Sequence, residues 1–392
     1  MLKLRAIHLL FVPGLYGSTL VDSKTNEREW VNVSQVVFHH EGFALPTPGI
    51  DQPGIKNLKV GEVLKGVPVL GPFYSVNSYG KILEILEKIC KDKNCNLVPV
   101  PYDWRREPAE VVKSLQETIT RVRKSPEDKI YLVAHSYGAV NTSYFLRYGT
   151  QDNYETAIES WEGLKQLDGV VLVAAPFRGG TALFRNVLQG ARYFGGRADF
   201  VLQTDYATFE SPYFLMPPEG KLSLFDEDFK KIIVPVHSAQ YWKDKQWGLF
   251  SPELQKRQKD SAVVFNHLDT ILKRVSTFYK KQFAPVINEP PKKSTVVYIG
   301  TKGSPTDENG IDIGNKSPGN VAFYDKERTK YLPKLNPDKL KVDGDGSITT
   351  ETQSLPTGIE KALTNTYFVN DGHLEILHSK EFEKEVRAML SR

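Results

Sequence analysis

Short apolar runs recur along the chain and alternate with stretches of helical periodicity. Runs typical of strands buried on both faces lie at 7–12, 97–100, 130–134, 167–176 and 294–300. Between them, apolar residues at helical spacing predict amphipathic helices over 79–90 and from about Pro108. This alternation predicts an α/β class with a mostly parallel sheet and right-handed crossovers.

The run at 130–134 leads directly into Ala134-His-Ser-Tyr-Gly138, and a helical pattern follows it. A strand, a small-x-Ser-x-Gly turn and a helix form a nucleophile elbow, in which a strained turn exposes the serine hydroxyl above a parallel sheet. We therefore predict an α/β-hydrolase fold with Ser136 as the nucleophile. The alternative is an ordinary serine in a strand-to-helix turn.

A serine hydroxyl becomes a strong nucleophile when a base takes its proton and a carboxylate orients that base. In α/β-hydrolases the acid and then the base follow the serine, and the base lies just before the last helix. Only His373 and His378 follow the last acidic turn, and His378 falls inside the helix that the apolar spacing predicts at the end of the chain. His373 is therefore the predicted base, while spacing alone leaves Asp343 and Asp345 as alternative acids.

A glycine-rich turn, Pro13-Gly-Leu-Tyr-Gly-Ser18, follows the first strand. In α/β-hydrolases one donor of the oxyanion hole comes from a loop after an early strand. The backbone N–H of Leu15 is the predicted donor.

The strand–helix alternation fails in 21–75, which is rich in Pro and Gly. This segment also carries apolar side chains whose burial is not assured, including Phe38, Phe43 and Leu45. We predict a lid or membrane-binding insertion that contacts lipid through these three residues. The alternative is a small satellite core packed on the main domain.

The alternation fails again in 185–292, an irregular and aromatic-rich segment. We predict a cap domain whose aromatic residues wall an apolar cleft above Ser136, suited to a long hydrocarbon chain. The alternative is that these aromatic residues form the core of the cap itself. Residues 1–20, 76–184 and 293–392 are then predicted to form the α/β-hydrolase core.

Composition excludes other classes of function. The 51 Lys and Arg against 47 Asp and Glu give a net charge of only +4, and no run of like charge indicates nucleic-acid binding. The two cysteines, Cys90 and Cys95, are too few for a structural zinc site or a disulfide scaffold. We expect two free thiols, with a local disulfide as the alternative, and we predict no metal or other cofactor.

The apolar run near the N-terminus is too short to span a membrane, and proline and glycine follow it without a cleavage site. We interpret it as the first strand. We expect either a cytoplasmic, peripherally membrane-associated protein or a trimmed mature form.

Several motifs occur together and in order: Pro13–Ser18, Tyr102-Asp-Trp-Arg105, the elbow, Ala175-Pro-Phe-Arg-Gly-Gly180, Ser211-Pro-Tyr-Phe-Leu-Met216 and Asp343-Gly-Asp-Gly-Ser347. The set resembles the lecithin:cholesterol acyltransferase family, which includes lysosomal phospholipase A2 and phospholipid:diacylglycerol acyltransferases. The resemblance implies Ser136 as nucleophile, Asp345 as acid and His373 as base. It also implies that the N–H groups of Leu15 and Tyr137 form the oxyanion hole.

The chain departs from the family pattern at three places. It has no cysteine between 21 and 75, where secreted members carry a disulfide, and it has Ala134 and Phe177 where Gly and often Trp are usual. None of these departures touches the implied triad. For Tyr102–Arg105 we favour a structural role, with an Asp–Arg pair and a buried Trp beside the sheet, over a catalytic one.

The resemblance implies an acyltransferase that moves an acyl chain from a phospholipid, through an acyl-serine, to an alcohol such as a sterol or a diacylglycerol. A phospholipase A or lipase that uses water as the acceptor is the alternative. An inactive lipid-binding protein on the same fold is a third hypothesis, and the ordered Ser, Asp and His argue against it. The expected partners are phospholipid and a membrane surface.

Overall fold

The computed structural model describes residues 5–31, 42–68, 75–76, 79–193, 198–226, 228, 230–307, 310–312, 321–323, 330 and 340–392. The predicted α/β class is confirmed, because a six-stranded parallel sheet forms the centre of this part of the chain. Its strands are β1 (Ile7–Val12), β2 (Asn96–Pro99), β3 (Lys129–His135), β4 (Gly169–Val173), β5 (Thr295–Thr301) and β6 (Asn365–Val369). They lie in the order β2, β1, β3, β4, β5, β6.

Helices cover both faces of the sheet. The α-helices in the described residues are α1 (Gly80–Lys93), α2 (Pro108–Val122), α3 (Tyr137–Tyr148), α4 (Glu162–Lys165), α5 (Thr181–Gln189), α6 (Gln203–Tyr206), α7 (Ser211–Phe214), α8 (Ala239–Asp244), α9 (Pro252–Gln255), α10 (Ser261–Gln282), α11 (Thr357–Ala362) and α12 (Lys380–Met389). Within the same described ranges, 3-10 helices lie at Gly248–Phe250, Glu351–Gln353 and Glu375–His378.

Successive residues of each strand point to opposite faces, and the two faces belong to two different cores. In β1, Leu9 and Phe11 pack in one core with α1 and α12, whereas Leu10 and Val12 pack in the other with α2 and α3. All four side chains are almost completely buried. Burial on both faces explains why these strands read as continuous apolar runs.

Local signals set several helix ends. The Asp260 carboxylate accepts hydrogen bonds from the N–H groups of Ala262 and Val263 and so caps the long helix α10. Ser379 caps α12 in the same way. The single helix predicted after His373 is divided in two, and His378 ends the 3-10 helix that precedes α12.

The cysteines are paired, so the expectation of two free thiols is wrong. Helix α1 ends at Lys93, and Asn94 takes a left-handed conformation that turns the chain back. The Cys95 N–H then donates to the Cys90 carbonyl, and the two Cα atoms lie 4.5 Å apart. That separation suits the disulfide that the structure contains.

The first predicted insertion packs on the main domain, and its buried apolar residues are continuous with the main core. Its strands Arg28–Trp30 and Leu58–Val63 flank Ser18–Asp22 in an antiparallel sheet. A further strand pair joins Val67–Pro68 to Ser75–Val76. The rings of Trp30 and Phe43 lie 5.5 Å apart at their centres.

The lid interpretation requires exposed apolar residues here, and for two of them this is wrong. Phe43 and Leu45 expose only 1% and 3% of their surface. Their N–H groups donate to the Asp205 carboxylate and the Thr208 hydroxyl, which ties them to the cap. The satellite-core alternative describes both residues, while Phe38 lies outside the described residues.

Most aromatic residues predicted to wall a cleft are buried, in one hydrophobic core that also contains residues of the sheet and of α3. Those that are buried are Tyr206, Phe209, Tyr213, Phe214, Trp242, Trp247 and Phe250. A later part of the chain also packs into the cap. Strand Gly310–Asp312 pairs with Ser223–Phe225 in a four-stranded sheet that also contains Lys231–Ile233 and Val321–Ala322.

Two further strand pairs form separate two-stranded sheets. Ala191–Tyr193 pairs with Ala198–Val201, and Ser304–Asp307 pairs with Lys341–Gly344. Both pairs are antiparallel. The second pair leads directly to Asp345.

Candidate active site

The turn between β3 and α3 holds Ser136 in a backbone conformation that L-residues rarely adopt, with φ 54° and ψ −123°. Its N–H donates to the Val173 carbonyl, which ties the turn to β4. A Cβ atom at Gly138 would lie 2.2 Å from the Pro13 carbonyl oxygen. The strained turn and the close approach at Gly138 are the features that the elbow motif predicts.

The structure brings the three predicted triad residues together at the carboxyl edge of the sheet. His373 Nε2 lies 3.0 Å from Ser136 Oγ, and His373 Nδ1 lies 2.8 Å from Asp345 Oδ2. Because a carboxylate only accepts, Nδ1 carries the proton in the neutral imidazole and Nε2 is free to accept the serine proton. This arrangement can activate the hydroxyl of Ser136.

Asp345 is held as a carboxylate by four hydrogen bonds. Oδ1 accepts the N–H groups of Ser347 and Ile348, and Oδ2 accepts the Thr301 hydroxyl and His373. Burial raises the pKa of Asp345, but His373, Ile348 and Thr301 outweigh this effect and lower the pKa to about 2.

Asp343, the alternative acid, faces away from this cluster. Its carboxylate accepts the Gly303 N–H and the Thr350 hydroxyl on an exposed part of the strand. Residues two apart in a strand point to the same side, but this strand ends at Gly344, and the turn at 345–348 aims the second aspartate inward. The structure therefore places Asp345 beside His373.

The glycine-rich turn lies against the serine. A Cβ atom at Gly14 would lie 2.7 Å from Ser136 Cβ. The N–H groups of Leu15 and Tyr137 have no hydrogen-bond partner in the described part of the chain. Two free amides beside a nucleophile are the donors that an oxyanion hole requires.

The Tyr102–Arg105 motif holds the glycine-rich turn in place through hydrogen bonds. Tyr102 donates its hydroxyl proton to the Pro13 carbonyl, and the Trp104 ring N–H donates to the Ser18 carbonyl. Arg105 forms a two-pronged ion pair with Asp103, at 2.9 and 2.7 Å, and also donates to the Phe43 carbonyl. The favoured structural role, an Asp–Arg pair with a buried Trp, is what the structure contains.

Sequence reasoning missed Tyr79, Thr301 and Gln353 at this site. Gln353 accepts the N–H of Thr301 and the Tyr298 hydroxyl, and so fixes the end of β5 beside Asp345. Thr301 could have been found as a polar residue at the carboxyl end of a core strand. Tyr79 begins a helix pattern, and nothing in its sequence context indicates its position.

Neither a metal-binding cluster nor a membrane-spanning helix occurs among the described residues. None of these residues forms a group of three or more His, Cys, Asp or Glu side chains that could hold a metal ion. Within the same residues, no helix combines the length and the apolar character that crossing a membrane requires.

The family model for lecithin:cholesterol acyltransferase matches residues 26–228, just over half of the chain. The chain belongs to the lecithin:cholesterol acyltransferase family. The matched segment contains Tyr102–Arg105 and Ser136, and it ends before Asp345 and His373. Membership supports an enzyme of the serine-hydrolase type whose activity is lipid acyl transfer or hydrolysis.

The chain, which has the α/β-hydrolase fold, is similar to solved structures at low sequence identity. The crystal structure of the Tle4-Tli4 complex aligns with a TM-score of 0.56 at 13% identity, covering 99% of this chain and 97% of that chain. Bacillus licheniformis lipase BlEst2 in its mature form aligns with a TM-score of 0.39 at 11% identity, covering 99% and 93%. At 13% identity the likeness to the first of these structures concerns the fold alone. No curated protein matches the chain.

Proposed function

We propose that this enzyme is a lipid O-acyltransferase that moves an acyl chain from a phospholipid to an alcohol through an acyl-Ser136 intermediate. One observation carries the proposal: in a member of this family, Ser136, His373 and Asp345 form a continuous hydrogen-bonded chain. The acid is ionised and the base accepts from the serine, which is the state required for attack.

In the first half-reaction, His373 Nε2 takes the proton of Ser136 while Oγ bonds to the carbonyl carbon of the phospholipid ester. The carbonyl oxygen becomes an oxyanion, and the N–H groups of Leu15 and Tyr137 donate to it. The ester C–O bond then breaks, and His373 returns the proton to the leaving lysophospholipid oxygen. The acyl chain remains on Ser136.

In the second half-reaction, an acceptor alcohol occupies the place of the leaving group. His373 takes its proton, the alcohol oxygen attacks the acyl carbon, and Ser136 leaves as the restored hydroxyl. Water can enter the same step and release a fatty acid. Exclusion of water from the acyl-enzyme therefore decides between transfer and hydrolysis.

The donor is a membrane lipid, so we also propose that the enzyme works at a membrane surface. Phe43 and Leu45 are buried, and they do not supply the contact in this conformation. The attachment then depends on other parts of the surface.

The test incubates the protein with acyl-labelled phosphatidylcholine and three acceptors: a sterol, a diacylglycerol and a long-chain alcohol. Mass spectrometry follows the label. We expect labelled ester of at least one alcohol, no labelled product with Ser136→Ala or His373→Gln, and wild-type products with the matched control His378→Gln. Label found only in free fatty acid would contradict transfer and identify a hydrolase. Wild-type product formation by Ser136→Ala would contradict the nucleophile.

A further inference from the structure

A buried histidine connects the two loops that surround Ser136. His135, the last residue of β3, is 1% exposed. Its Nε2 lies 2.8 Å from the backbone carbonyl oxygen of His373, and its Nδ1 lies 2.9 Å from the hydroxyl oxygen of Tyr79. The Gly14 N–H donates to the same hydroxyl oxygen at 2.7 Å. A single chain of hydrogen bonds thus runs from the glycine-rich turn to the loop of the base.

The positions of the protons follow from the partners. A carbonyl oxygen only accepts, so His135 Nε2 carries a proton and donates it to His373. Nδ1 of the neutral ring then accepts from the Tyr79 hydroxyl, whose oxygen accepts the Gly14 N–H. Every group in this chain is satisfied when His135 is neutral.

The surroundings keep both side chains neutral. Burial and the charge of a protonated His373 lower the pKa of His135 to about 3, although the His373 carbonyl and Asp345 oppose this shift. Burial raises the pKa of Tyr79 well above its usual value. The rings of His135 and His373 lie 4.8 Å apart at their centres. A neutral His135 therefore adds no positive charge beside the imidazolium that forms during catalysis.

We propose that His135 and Tyr79 are positioning residues that hold the oxyanion turn and the base loop in register around Ser136. The inference rests on the proposed function and adds two residues to it. Because His135 directly precedes Ser136, its ring is anchored to the same strand end as the nucleophile. One nitrogen sets the position of the His373 backbone, and the other sets Gly14 and the adjacent Leu15 N–H through Tyr79. Neither residue touches the reacting atoms.

The deciding variant is Tyr79→Phe, which removes one oxygen and leaves the Gly14 N–H and His135 Nδ1 without their partner. On a short soluble ester we expect kcat to fall about tenfold to a hundredfold, since a displacement of about 1 Å has a cost of this size. KM should stay within about twofold, because Tyr79 is only 4% exposed and offers almost no surface to a substrate. The matched control is Tyr144→Phe, which removes another buried hydroxyl, bonded to the Gln151 carbonyl away from the site. It should lower stability without changing kcat.

A second variant tests whether the two residues act as one chain. In His135→Gln the side-chain amide can still donate near the position of Nε2, but it offers no acceptor at the position of Nδ1 to Tyr79. The double variant Tyr79→Phe/His135→Gln should then lose no more activity than the worse single variant. If the activity losses of the two single variants multiply in the double variant, the two residues act independently and the single hydrogen-bonded chain is overturned.

The inference is overturned if kcat of Tyr79→Phe stays within about twofold of the wild type, or if Tyr144→Phe loses as much activity. Labelling of Ser136 by an organophosphonate distinguishes an incorrect positioning role from an incorrect nucleophile in the proposed function. Loss of positioning slows the labelling, whereas an incorrect nucleophile leaves labelling intact in Ser136→Ala.

Discussion

At the scale of single residues, Asp345 and Asp343 show how environment assigns a role that spacing leaves open. Both aspartates are flanked by glycine and separated by one residue. Only Asp345 is buried, accepts from His373 and has its remaining lone pairs filled by Thr301 and two amides. The orientation of the Asp345 side chain depends on a turn and on the end of β5, about 45 residues away. The sequence around Asp345 predicts neither of these features.

Asp345→Asn should lower kcat/KM on a soluble ester by about four orders of magnitude, because an amide can present its donor to His373 and favour the wrong tautomer. Asp343→Asn should change it by less than about threefold, since that side chain supports only the exposed strand. Ester hydrolysis and thermal melting of both variants measure the difference. A larger loss in Asp343→Asn, with both proteins folded, would reverse the assignment.

His135 should also make stability depend on pH. Its pKa is lowered from 6.5 to about 3 on folding, so between these values the unfolded chain binds a proton that the folded protein does not. The stability that depends on neutral His135 is complete above pH 6.5 and is lost as the pH falls towards 3. Urea unfolding at several pH values should show a steeper loss in the wild type than in His135→Gln. The difference should reach about one proton, or about 1.4 kcal/mol per pH unit. Equal slopes would mean that His135 is protonated in the folded protein.

At the scale of elements, the site forms where the turn after β1 meets the turn after β3. The two strands are neighbours. The Tyr102–Arg105 motif holds the first turn beside the second through the hydrogen bond of the Tyr102 hydroxyl. Gly14 is required here because a side chain would enter the space of both Ser136 and Tyr79. The sequence predicts both turns, but their distance depends on strand order and on the partners of Tyr79.

Gly14→Ala should therefore lower kcat on a soluble ester by about a hundredfold or more, because the added methyl group lies 2.7 Å from Ser136 Cβ and 2.9 Å from the Tyr79 oxygen. Gly180→Ala is the matched control, since its added methyl group meets no atom within 4 Å and its φ of −159° suits any residue. Stopped-flow ester hydrolysis compares the two. Full activity in Gly14→Ala would show that the turn can move away from the serine.

At the scale of the whole molecule, the regular core could be predicted and the inserted segments could not. All five apolar runs became strands of the central sheet, and in four of them burial on both faces explains the signal. The two edge strands, Asn96–Pro99 and Asn365–Val369, are partly exposed, and the second gave no signal. Phe43 and Leu45 looked exposed because their partners lie far along the chain, at Asp205 and Thr208. The disulfide was only the alternative to two free thiols, because its geometry depends on one left-handed residue, Asn94.

Phe43 links the first insertion to the core, so Phe43→Ala should lower the free energy of unfolding by about 3–5 kcal/mol. Vesicle binding of the folded variant should stay at the wild-type level. Ile287→Ala is the control, because the Ile287 side chain is large but 83% exposed, and its loss should change stability by less than about 0.5 kcal/mol. Denaturant unfolding and vesicle sedimentation measure both. Normal stability together with lost vesicle binding in Phe43→Ala would restore the lid interpretation.

The central claim is that Ser136 carries the acyl chain between donor and acceptor. The most direct measurement is the mass of the peptide containing Ser136 after the enzyme is mixed with phosphatidylcholine and quenched in acid within one turnover. The account predicts a mass increase equal to one acyl group, located on Ser136 and lost when an alcohol acceptor is added before the quench. Product formation without an acyl group on Ser136, or with the acyl group on another residue, would contradict it.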